Sequence, residues 1–207
     1  MSVRRVTVSV VVSLVVAVAL AGASLHGAAA VSKQQADSFA RKLALIEQRS
    51  STTQQAGAAA RRIPVSEDEL NSWFAYRAQP LLPQGLSEPR FTIVGNGKVM
   101  GVATVDLDAI AKKRSSGGTL DPWSLVGGRV PVTVSGVLHT DGGRGRFELQ
   151  NADVSGVPVP KLLLQELVSH YSRTPDRPQG VRLDDEFELP ANIQKIEVGE
   201  GQAIVVQ

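Results

Sequence analysis

Asp184-Asp185-Glu186 is a tight acidic run, and on an extended strand Asp184 and Glu186 would project from one face. Two carboxylates so placed are what a cation site or a glycosidase pair needs, although a solvated strand edge shows the same pattern. The other polar residues do not assemble into known chemistry. Of the three histidines His26 falls in the N-terminal apolar segment, and His139 and His170 lack companions at metal-ligand spacing. Ser135, Ser155 and Ser169 lie outside any G-x-S-x-G pattern, so none is marked as a nucleophile. Gly142-Gly143-Arg144-Gly145 joins two predicted strands rather than opening a helix, which makes it a turn and not a phosphate cradle. Lys112-Lys113-Arg114 runs into Ser115-Ser116-Gly117-Gly118 with no P-loop pattern and reads as a solvated loop. No metal and no cofactor are expected. The chain reads as non-enzymatic, with an envelope hydrolase using Asp184 or Glu186 as the third of three readings.

The strongest physical demand comes instead from an apolar stretch, Val154 to Tyr171. Pro158 and Pro160 keep its start extended, because the residue before a proline is pushed out of the helical region. Leu163, Leu164, Leu167, Val168 and Tyr171 then recur at three- and four-residue steps, opposite Lys161, Gln165, Glu166 and Ser169. Each fully buried side chain of this kind is worth roughly 1.5–3 kcal/mol, so the face must cover the protein's own sheet, a partner or a lipid-like ligand.

An earlier helix supplies the partner to this one. Ser66 and Glu69 form a capping box, Glu67 and Asp68 add negative charge to the first turn, and Val65 can staple onto Leu70. A helix is predicted from Ser66, with Leu70, Trp73 and Phe74 on its inner face. Ahead of it, Ser32 to Gln55 carries Phe39, Leu43 and Ile46 on one stripe, predicting a surface helix, and Gln54 to Arg62 reads as a linker. Beyond it the period changes to two. Gly95-Asn96-Gly97 and Asp141-Gly142-Gly143 mark hairpins, the second with arms Val130 to His139 and Arg144 to Val157. A third hairpin takes Val181, Leu183, Phe187 and Leu189 in one arm and Ile193, Ile196 and Val198 in the other. After Gly199-Glu200-Gly201 a last strand runs from Gln202 to Gln207. The fold class is therefore α+β, with a long antiparallel sheet and one or two helices.

The first thirty residues read as an address. Arg4 and Arg5 precede an uncharged, apolar run from Val6 to Leu25, and Ala28-Ala29-Ala30 offers a small-residue cleavage site. A cleaved signal peptide and an uncleaved anchor both fit, which places the protein in the periplasm, the cell envelope or outside the cell. The absence of cysteine excludes a lipidated leader and disulfide staples. Arg4 and Arg5 are two of 22 basic residues, so the chain after residue 30 carries 20 basic against 20 acidic ones. That neutrality, with no aromatics among Lys/Arg clusters, excludes nucleic acid as the expected partner. The organisation expected is a signal or anchor at 1–30, a helix and linker at 31–62, and one domain at 63–207.

IPVSEDELNSWF, a long hairpin ending in VATVDLDAI, VPVTVSGVLHT, GRFELQNADVSGVPVPKLLLQELV and a closing LPANIQKIEVGEGQAIVV resemble in order the bacterial tubular lipid-binding (TULIP-like) proteins, of the exported YceB, YpmS and LmeA types. The resemblance covers Ile63 to Gln207, without the lipidation cysteine of the YceB type and with few aromatics along the strands. It implies a highly curved antiparallel sheet wrapped around a helix, a half barrel whose apolar interior can hold an acyl chain. Leu163, Leu164, Leu167, Val168 and Tyr171 would then line the cavity floor, with Leu70, Trp73 and Phe74 nearby. The function expected is binding of an apolar ligand, a lipid above all, with contact to a membrane surface as a further expectation. The alternative is a cell-envelope scaffold or protein-interaction module with a filled core.

Overall fold

Ser66 occupies the N-cap position that its spacing to Glu69 predicts. Its hydroxyl accepts from the Glu69 N–H at 3.2 Å, and the Glu69 carboxylate accepts from the Ser66 N–H at 3.0 Å. This reciprocal cap fixes where a strand hands over to a helix. The computed structural model in which it is seen describes residues 31–50, 60–106, 108–109, 128–171, 173 and 178–207. The leader at 1–30, most of the expected linker and the Lys112 to Gly118 loop lie outside the described residues.

The elements in chain order are α1 (Lys33–Ser50), β1 (Arg62–Ser66), α2 (Glu67–Tyr76), a 3-10 turn (Gln79–Leu81), β2 (Leu86–Gly95), β3 (Lys98–Asp106), β4 (Arg129–Asp141), β5 (Arg144–Val154), β6 (Val157–Pro158), α3 (Lys161–Tyr171), β7 (Phe187–Glu188), β8 (Lys195–Val198) and β9 (Gln202–Val206). They form an α+β fold with two antiparallel sheets, neither closed into a barrel. The larger has six strands in the order β2-β3-β4-β5-β6, with β7 also pairing β5; the smaller has the order β1-β9-β8.

Turn chemistry sets the registers. Asn96 and Gly97 both adopt positive φ between β2 and β3, as do Gly142 and Gly143 between β4 and β5. A third such turn, Ser155-Gly156, ends β5 at Val154 and folds the chain back as β6. The strand arm expected to reach Val157 is therefore shorter than the sequence pattern suggests. In β5 the apolar residues change phase, Phe147 and Leu149 falling at odd positions and Ala152 and Val154 at even ones. The structure reconciles them with an irregularity at Gln150, where Ser135 pairs Asn151 but Gly136 pairs Leu149. All these apolar residues then share a face with Val132, Val134 and Leu138.

Gly136 is required by that arrangement, since a Cβ there would lie 2.4 Å from Phe147 Cζ and 2.4 Å from the Glu148 carbonyl oxygen. Phe147, only 2% exposed, fills the space.

The amphipathic surface helix expected over Ser32 to Gln55 is present as α1: its apolar stripe is buried at Ala36, Phe39 and Ile46, with Phe39 meeting Trp73 edge to face at 5.8 Å, while Lys33, Arg41 and Glu47 are exposed. One expectation is corrected. The arm from Val181 to Leu189 is a strand only at Phe187–Glu188. Gln165 of α3 explains this, because it accepts from the Leu183 N–H at 2.7 Å and donates to the Val181 carbonyl at 3.3 Å, taking main-chain groups that a sheet would otherwise use.

Candidate functional site

The expected ligand-binding residues fall into two separate hydrophobic clusters. Leu70, Trp73 and Phe74 belong to the first, with Phe39, Phe91, Ile63 and Val65. Trp73 contacts Phe74 at 5.1 Å between ring centres, and Phe74 contacts Phe91 at 4.7 Å. Trp73 and Phe74 are 8% and 3% exposed, so this stripe is buried in the first cluster. α1, whose sequence signal was read as a surface helix, supplies the side chains that fill it.

A buried carboxylate pins α1 to this cluster. Glu69 accepts from Ser38 Oγ at 2.6 Å and from Lys42 Nζ at 2.6 Å, in addition to the Ser66 N–H, and Lys42 also donates to the Pro64 carbonyl. Burial pushes the Glu69 carboxyl upward, but the hydrogen bonds from Lys42, Ser38 and Ser66 outweigh it and hold the group below its ordinary value.

Leu164 and Val168 lie in the second cluster, against Ala103, Val132, Val134, Leu138, Phe147 and Ala152 of the large sheet. Leu164 is buried and Val168 half-buried, whereas Leu163 points outward at 37% exposure. The side chains of Leu167 and Tyr171, with that of His170, lie outside the described residues. Leu183, held by Gln165, is buried beside Leu164 and occupies part of the space between helix and sheet.

The apolar sheet face continues past what Leu164 and Leu183 cover. Leu86, Val105 and Val130 stand side by side in paired register, and Val154 pairs with Val132 next to them. All four of Leu86, Val105, Val130 and Val154 are half-buried and pack on the second cluster. Sequence reasoning missed this row, because alternation marks a strand's apolar face without saying how much of it a helix covers.

At the opposite end of β4 and β5 a polar groove of about 910 Å³ opens between the hairpin and β8, lined by His139, Asp141, Arg144, Arg146, Lys195 and Glu197 among others. Much of its charge is internally matched: Arg144 meets Glu186 at 3.5 Å, Lys195 meets Glu197 at 4.0 Å, and Glu197 also pairs with Arg62. Asp184 and Glu186 are not on a strand as expected; Asp184 pairs with Lys161 at 2.8 Å while Glu186 faces Arg144. The two carboxylates are thus committed to different cations. Among the described residues there is no cluster of three or more His, Asp or Glu placed to hold a metal, and no helix long and apolar enough to cross a membrane.

Compared with known protein families, curated proteins and solved structures, the chain gives no match.

Proposed function

We propose that this is an exported, non-enzymatic protein that binds an apolar ligand, a lipid acyl chain in the first instance, along the part of the large sheet that α3 leaves uncovered. One observation carries this reading: the half-buried row Leu86, Val105, Val130 and Val154 extends the apolar face beyond Leu164 and Leu183. Each methylene of a chain laid there gains roughly 0.8 kcal/mol, so binding needs no dedicated polar motif. The TULIP-like resemblance supports the same reading, with sheet and helix together embracing the ligand, and the apolar leader supports export. The site so defined uses Leu86, Val105, Val130 and Val154 in place of Trp73 and Phe74.

Native mass spectrometry of protein purified without detergent tests it. A co-purifying lipid, with acyl affinity reduced about tenfold in a Val105→Thr, Val130→Thr double variant of near-identical shape, is the expected result. A ligand-free mass and no uptake of offered lipid would overturn the reading. That outcome would favour a cell-envelope scaffold, which has its own observation: Phe39, Trp73, Phe74 and Phe91 are buried together in the first cluster.

A further inference from the structure

Exposed aliphatic side chains gather at one place. Val157 is 65% exposed, Leu162 71% and Leu163 37%, and Pro158 and Pro160 between them are exposed as well. The Ser155-Gly156 turn presents Val157, and the first turn of α3 presents the leucines. Two structural restraints hold the group in shape. β6 pairs with β5 through Asp153 to Pro158 and Val154 to Val157, and the Val159 N–H donates to the Ala152 carbonyl at 2.9 Å. The two prolines fix their own φ, so little conformational freedom remains to be lost on burial.

The position of this tip matters as much as its composition. It stands at the end of the large sheet where Val154, Val130, Val105 and Leu86 form the half-buried row, with Val157 paired directly to Val154. The only charge within the tip, Lys161, is matched by Asp184.

We infer that Val157, Leu162 and Leu163 form a wedge that enters the acyl boundary of a lipid bilayer. Three aliphatic side chains fall well short of the roughly 1,000 Å² that a specific protein pair needs, whereas a bilayer accepts such a group without a complementary shape. This inference rests on the lipid-binding reading in one respect: it names the surface from which that ligand would come.

The chain contains no cysteine, so single-cysteine variants of the full-length chain label at one site. Val157→Cys, Leu162→Cys and, at the far end of the sheet beside Gly95, Glu200→Cys carry an environment-sensitive fluorophore into vesicles of phosphatidylcholine and phosphatidylglycerol. The expected result is a blue shift at 157 and 162 and none at 200, with Leu162→Asp weakening vesicle association about tenfold. No shift at 157 and 162, or the same shift at all three positions, overturns the wedge. A shift at 157 and 162 on self-association in lipid-free buffer overturns it too, in favour of a second copy of this chain. A soluble fluorescent fatty acid, titrated in parallel, separates the two proposals: its binding failing while the vesicle shift persists removes the ligand reading and leaves the wedge.

Discussion

Asn71 donates its side-chain amide to the Phe91 carbonyl and accepts from the Phe91 N–H, both at 2.7 Å, so one side chain stands in for a neighbouring strand. Both residues are buried. Two residues on, the Ile93 N–H donates to Glu67 at 2.7 Å and the Ile93 carbonyl accepts from the Gly201 N–H, also at 2.7 Å. At Phe91 and Ile93 the outer edge of β2 is thereby closed to further strand pairing, by α2 and by the turn between β8 and β9.

Replacing Asn71 with leucine keeps the volume and leaves a buried donor and a buried acceptor on Phe91 unmade. Each such group costs about 1–3 kcal/mol, so Asn71→Leu should lower unfolding free energy by roughly 2–4 kcal/mol in urea titrations. A loss below about 0.5 kcal/mol would show that water or a shifted main chain replaces the amide.

Glu69 predicts an acid limb with a defined sign. Its carboxyl is held below its ordinary value in the folded protein, so the unfolded chain takes up this proton more readily. The contribution is complete above the unfolded value near pH ~4.3 and disappears as pH falls through the lower, folded one. Wild-type stability should therefore drop below about pH 4 more steeply than that of Glu69→Gln, which is less stable at neutrality. Urea midpoints from pH 3 to 7 provide the check, and parallel curves for the two proteins would remove Glu69 as the cause.

Gly136→Ala places a methyl group against both a ring and a main-chain carbonyl. Trimming the ring relieves only one contact. The variant should lose about 1–3 kcal/mol, and adding Phe147→Leu should leave it no more stable. Full recovery in the double variant would mean that the Glu148 carbonyl moves aside freely.

Trp73→Ala is expected to act on stability and not on ligand affinity. Its ring is enclosed by Phe39 and Phe74, so removing it opens a cavity worth about 3–5 kcal/mol in thermal or urea unfolding. Acyl affinity of the folded fraction should stay within about twofold of wild type, on the reading that apolar contact sets it. A tenfold loss of affinity at full stability would return the site to α2.

These outcomes follow the line between what local sequence specifies and what it does not. The Ser66 cap, the Asn96-Gly97 and Gly142-Gly143 turns and the helix that ends at Tyr171 were all legible, because each depends on residues within a few positions of one another. The β1 to β9 pairing was not legible, since Arg62 and its partner Val206 lie far apart in sequence and nothing local joins them. The candidate site was legible in kind but not in membership. Apolar periodicity selected Trp73 and Leu164 alike, yet Phe39 covers one, Leu183 packs beside the other, and neither neighbour is adjacent in sequence. Gln165 lay on the face set aside as polar, and its two main-chain bonds turned an expected strand into an irregular strap.

β9 is the last strand in the chain and lies between β1 and β8, with Val206 opposite both Arg62 and Lys195. A growing polypeptide therefore releases α1, β1 and α2 long before the strand that β1 needs exists. Closing so long a loop is slow, and its entropic cost falls due before the contacts that reward it form. The aromatic cluster beside β1 cannot be sealed before β9 is in place. The smaller sheet therefore waits on its most sequence-distant strand, and α1, β1 and α2 stay open to unfolding until β9 has docked between β1 and β8.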